Sequence, residues 1–197
     1  MVAVKKLGFT IVGIAPLLMH NGRLADRDDP YSRQMSEITG KRKKVDSDYA
    51  ELDRLSFLGG LYLDENDEPC IPSYVFEACI IGKGGAARKE KMGKESAAAF
   101  WVIDDASLKY DGPRDPQELQ KDKRFISEAL VRVGQNKVKR VRPIFKQWSA
   151  DINVEFNDSL LDEADVRRWI EVAGEQVGLM DWRPRFGRFR VEWNDQP

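Results

Sequence analysis

Residues 178–190, Gly-Leu-Met-Asp-Trp-Arg-Pro-Arg-Phe-Gly-Arg-Phe-Arg, put four guanidinium groups, an indole and two phenyl rings on a backbone loosened by Gly178 and Gly187. That mixture suits a phosphodiester strand. Arginine forks two phosphate oxygens at once, and an aromatic face stacks on a base without reading its identity. Arg183, Arg185 and Arg188 are the phosphate candidates here and Trp182 the stacking candidate. The plain alternative makes Trp182 and Phe186 core residues and pairs the arginines with Asp181 and Glu192.

Two further basic runs carry no acid. Lys137, Lys139, Arg140, Arg142 and Lys146 form one, from which Lys139, Arg140 and Arg142 join the candidate set; Lys41-Arg42-Lys43-Lys44 is the other. Lys83 and Arg88, just past an apolar helical run, complete the set. The acids gather elsewhere, at 64–68 and 158–165, so a net charge of −1 hides segregated blocks. Such a chain can still present a cationic groove. A single charge run is an ordinary solvated face, and three together favour binding.

Catalytic chemistry has thinner support. His20 is the only histidine, and a lone histidine reads as structural or incidental. Asp26, Asp28 and Asp29 could hold a divalent metal, but acids beside Pro30 read first as turn or helix caps. There is no phosphate loop, dinucleotide fingerprint or HExxH. Cys70 and Cys79 lack CxxC spacing and read as small core residues. The sequence therefore predicts no enzyme, no cofactor and no metal.

The elements that would position these residues are legible in part. Leu7, Phe9 and Ile11 alternate with polar or small residues, predicting a first strand that Pro16 ends. His20 to Ser47 is long and polar, predicting an insertion or a loop ordered by a partner. Residues 48–58 have helical spacing. Residues 59–72 read as a hairpin around an acidic turn, and a helix follows with Ser73 as its N-cap. Residues 82–96 are rich in Gly, Ala and Lys and predict a mobile segment. Phe125 to Val133 is ambiguous, and two strands are predicted between Val138 and Phe156, where Trp148 to Phe156 alternates cleanly. The best helix spans Asp162 to Val177, with acids in its first turn and Gly178 at its end. A last strand at 188–193 turns Phe189, Val191 and Trp193 to one face.

With 197 residues and 42% hydrophobic content, the chain predicts one domain with a proper core. This order of elements predicts an α+β fold with helices on one face of an antiparallel sheet, the ferredoxin-like arrangement being the economical choice. The apolar N-terminal stretch is interrupted by Gly8, Thr10, Gly13 and Pro16 and does not read as a signal peptide. No membrane span is predicted, and the expected location is cytoplasmic.

Two segments resemble the RAMP superfamily, the RRM-like backbone subunits of CRISPR effector complexes. Pro69-Cys-Ile-Pro-Ser-Tyr-Val-Phe-Glu-Ala is similar to that family's strand, Ile-Pro, helix motif, and Gly178 to Arg190 to its glycine-rich C-terminal loop. Ser73-Tyr74 departs from the usual Gly-Ser-Ser, and Lys83 or Arg88 stands in for the helix-end arginine. The resemblance implies an RRM-type sheet, a β-hairpin thumb and homo-oligomers assembled along a strand, with stand-alone relatives in phage genomes. The expected function is sequence-nonspecific binding of single-stranded RNA or DNA. A phage structural or assembly protein is the alternative, and a metal-dependent ribonuclease using Asp26, Asp28 or Asp29 the second.

Overall fold

Phe9 and Ile11 are fully buried on one side of the strand Val4–Gly13, and Lys6, Gly8 and Thr10 occupy the other. Everything else is arranged around that strand in the computed structural model, which describes residues 4–194. In chain order the elements are β1 (Val4–Gly13), β2 (Leu17–Leu18), α1 (Pro30–Thr39), α2 (Asp46–Gly60), β3 (Cys70–Ile71), α3 (Ser73–Ile80), α4 (Ala86–Lys89), α5 (Gly93–Ala99), β4 (Phe100–Val102), β5 (Ala106–Ser107), α6 (Pro116–Lys121), β6 (Ile126–Val133), β7 (Asn136–Phe145), β8 (Ser149–Asn157), α7 (Glu163–Val172) and β9 (Phe189–Trp193).

The main sheet has the order β4-β8-β1-β9, antiparallel throughout. Its inner face joins Phe9 and Ile11 to Phe100, Ala150, Ile152, Val154, Phe156 and Phe189. α3 and α7 close over it: Phe76 of α3 packs on Phe9 and Phe189 with centroids 6.0 and 5.9 Å apart, and α7 buries Val166, Trp169 and Ile170. Burying an aromatic or branched side chain contributes roughly 1.5–3 kcal/mol, so this layer dominates stability. α7 continues as a π-turn over 173–177 that delivers Gly178, and with it the arginine loop, beside β9.

A second sheet, β2-β7-β6, is a long hairpin tied to the segment after β1. α2 lies against β7, where Ser56 Oγ donates to the Val141 carbonyl at 3.0 Å. Tyr110, Phe125 and Phe145 form an aromatic knot at the hairpin root. The buried cluster runs without a break from this knot to the main sheet.

The first strand, the last strand and the long C-terminal helix lie where the sequence places them, and four local expectations change. The segment 20–47 is not a structureless insertion. It holds a 3-10 turn and α1, whose Tyr31 packs beside Gly59. Residues 82–96 form α4 and α5, with Ala86 and Ala87 fully buried. The glycines at 59 and 60 finish α2, so the hairpin around the acidic turn is narrower than expected: Leu63 bridges Pro69, the Cys70 N–H meets the Tyr62 carbonyl at 3.0 Å, and β3 also pairs with β5. Pro72 occupies the N-cap of α3, and the Ser73 N–H is satisfied by the Asp105 carboxylate at 2.8 Å. No helix among the described residues is long and apolar enough to cross a membrane.

Candidate nucleic-acid interface

The arginine loop owes its shape to two left-handed glycines. Gly178 and Gly187 sit at φ 71° and 72°, and a Cβ on Gly187 would collide with the Leu179 backbone. Leu179 plugs the core while its N–H meets the Gly187 carbonyl at 2.9 Å. Two bonds fasten the loop to the strand exit: Gly187 N–H to the Pro16 carbonyl at 2.8 Å, and Asp181 N–H to the Leu18 carbonyl at 3.0 Å. Met180 and Trp182 also adopt positive φ, 61° and 54°. Non-glycine residues rarely accept this, and such strain gathers at functional sites.

So fastened, the loop turns its arginines outward. Arg183, Arg185 and Arg188 are exposed, and among the described residues none has an ion-pair partner. Arg190 differs: it pairs with Glu192 at 2.6 Å on the outer face of the sheet. Trp182 is 43% exposed and leans on half-buried Phe186, with centroids 5.9 Å apart. The plain alternative therefore describes Arg190, and Asp181 is engaged elsewhere.

That partner comes from the hairpin. Arg142 is only 8% exposed; its Nε stands 3.1 Å from Asp181 Oδ2, off the N–H direction, and its guanidinium lies 5.0 Å from the Trp182 ring centre. Its Nη1 has no hydrogen-bond partner. Arg142 thus braces the loop from beneath. Arg140 lies on the same face of β7, half-exposed, without an ion pair among the described residues. Lys139 faces the other way, held by Asp53 at 2.7 Å and Glu128 at 3.2 Å. Lys83 and Arg88 line a shallow depression with Lys91 and Lys94 beyond the end of α3, where Arg88 Nε donates to the Ile81 carbonyl at 3.2 Å.

The loop, α3 and the segments that follow β2 and α2 leave a cleft of about 250 Å³ between them. The loop contributes Met180, Asp181 and Arg183, α3 contributes Tyr74, Val75 and Ala78, the segment after β2 contributes His20, and the segment after α2 contributes Tyr62. His20 is half-buried with Nδ1 unpartnered, and the Tyr62 hydroxyl reaches its carbonyl at 3.4 Å. Burial, then the charge of Arg142, lowers the imidazole pKa, so it is neutral at pH 7. Tyr74 is 62% exposed at the mouth. Sequence reading sets His20 aside as structural or incidental and gives Tyr62 and Tyr74 no role, because nothing in their spacing places the three together.

The acidic cluster is occupied by local structure. Asp26 accepts from the Asp28 N–H at 2.9 Å, Asp28 pairs with Arg33 at 2.9 Å, and Asp29 caps α1 while pairing with Arg23 at 3.2 Å. Among the described residues no three His, Cys, Asp or Glu side chains are grouped to hold a metal. Cys70 and Cys79 are fully buried, and burial pushes both thiols up to about 12.

The outer sheet face is a poor rival. Its two central strands present Gly8, Thr10, Asp151, Asn153 and Glu155, with Asp151 and Glu155 paired to Lys109 and Lys6. Bases stack on aromatic rings carried by the central strands when an RRM-type sheet binds RNA. Here Trp101, on edge strand β4, is the one exposed ring on this face among the described residues. No model of a known protein family matches the chain, and no curated protein matches it.

Proposed function

We infer that the protein binds single-stranded nucleic acid without sequence specificity, along a path from Arg140 over Trp182 and the 183–188 loop toward Lys83 and Arg88. One observation carries this reading. Arg140, Arg183, Arg185 and Arg188 come from two distant segments to the surface around exposed Trp182, and among the described residues none of the four has a carboxylate partner, whereas Arg142 and Arg190 beside them do. Unpaired guanidinium groups gathered around an exposed indole suit a ligand that carries both phosphates and bases. The chain fits a ferredoxin-like, RRM-type domain of the RAMP kind. The strand order β4-β8-β1-β9 supports this, because a βαββαβ path laid out antiparallel has its second, third, first and fourth strands in that sequence. The β6–β7 hairpin is then the thumb, and copies assemble side by side along the strand.

The experiment is a salt titration of single-strand affinity by fluorescence anisotropy. Each phosphate neutralised adds about 0.7 to the slope of log K against log salt. Replacing Arg183 and Arg185 by Ala flattens the slope by about that amount for each phosphate no longer neutralised, while Arg190→Ala, already paired to Glu192, leaves it unchanged. A wild-type protein that binds no strand at low salt contradicts the reading and leaves an assembly protein, its arginines facing a partner's acids.

A further inference from the structure

The floor of the cleft has an unusual polar character. His20 and Asp181 line it, His20 Nδ1 and Asp181 Oδ2 have no hydrogen-bond partner, and Arg142, 3.1 Å from Asp181, is buried with Nη1 unpartnered. A ligand seated in the cleft meets the His20 imidazole and the Asp181 carboxylate, which are its polar lining on this side. A phosphate does not fit this floor: Arg142 is already charge-balanced by Asp181, the carboxylate repels an anion, and His20 is neutral. A hydroxyl does fit, because it donates to one neighbour and accepts from another. Above the floor, Val75, Ala78 and Tyr74 supply an apolar wall and an aromatic edge, and Arg183 supplies a cation at the rim. At about 250 Å³ the cleft is smaller than the roughly 300–1,000 Å³ of drug-sized ligand sites. It takes one unit of a chain, not an independent ligand.

We propose that this cleft holds one ribonucleotide of the bound strand, with His20 and Asp181 hydrogen-bonding its 2′-hydroxyl, Tyr74 against its base and Arg183 on the adjoining phosphate. This rests on the strand-binding reading above and makes the protein prefer RNA to DNA. The 2′-hydroxyl is the group by which a protein tells the two apart at a given site.

His20 is the sole histidine, so its ring resonances report the cleft without assignment. Hexauridylate and its deoxy counterpart are titrated into the full chain, with anisotropy and the imidazole proton spectrum recorded together. The ribo strand shifts the ring resonances and binds roughly two- to tenfold more tightly, the range one neutral hydrogen bond supplies. The deoxy strand binds and leaves the ring in place. H20A and Y74A each erase the preference, and exposed Tyr74 guards against an H20A that fails to fold. Binding of both strands with unmoved or equally moved resonances overturns the hydroxyl site and spares the strand-binding reading. Absence of binding by either strand overturns both.

Discussion

At the scale of single residues, pairing separates side chains that the sequence presents as alike. Arg183, Arg185, Arg188 and Arg190 read as one basic run, yet the backbone sends Arg190 to the outer sheet face beside Glu192. Lys139 and Arg140 are neighbours, but strand alternation sends one to Asp53 and the other to the open face. The acid-free runs are legible in the sequence; which members stay free is not, because it depends on the face each side chain takes and, for Lys139, on Asp53, 86 residues away. His20 illustrates the same limit, and it carries a pH prediction. Its folded pKa is lowered, so the unfolded chain takes up the proton first. The stability associated with the neutral ring is present above about pH 6.5 and is lost as pH falls through the folded value. Urea midpoints followed across that range should decline more steeply for the wild type than for His20→Gln. Identical acid limbs would remove His20 from the account.

At the scale of elements, the arginine loop works because it is fastened at both ends. Gly187 is the critical fastening: its φ of 72° suits glycine, and a methyl group there would strike the Leu179 backbone. Gly187→Ala should cost about 1–3 kcal/mol, read as a lower urea midpoint, and weaken strand binding together with stability. An unchanged midpoint would mean that the loop tolerates a different path. Elements with strong periodicity are readable in the sequence, such as β8 with its strict alternation and α7 with its acidic first turn. Elements made by tertiary contacts are not. The α3 start depends on Asp105, more than thirty residues downstream, and α4 and α5 are held by buried alanines in a segment that looks mobile on composition. The 20–47 segment escapes sequence reading for a related reason. Its side chain at Asn21 donates to the Leu61 carbonyl at 2.9 Å, and Tyr31 packs at Gly59, so it braces the end of α2 with few apolar residues.

At the scale of the whole molecule, the two sides of the main sheet have different duties. The inner face is closed by α3 and α7, the outer face is a field of paired charges, and the arginine loop with its unpaired Arg183, Arg185 and Arg188 is fastened where β1 exits. Assembly along a strand should appear in light scattering as protein mass that grows with strand length. Val45 and Tyr49, exposed at the start of α2, offer a surface for neighbours, and Tyr49→Asp should shorten the multimers without unfolding the chain. A constant mass for short and long strands would reduce the assembly to a one-to-one complex. The central claim is that the strand lies across loop, hairpin and cleft and avoids the sheet face. Photocrosslinking of a 4-thiouridine strand, with adducts mapped by mass spectrometry, tests this most directly. Adducts on the peptides bearing Tyr74 and Trp182 are the expected result. Adducts concentrated at Trp101 would put the strand on the outer sheet face and contradict the account.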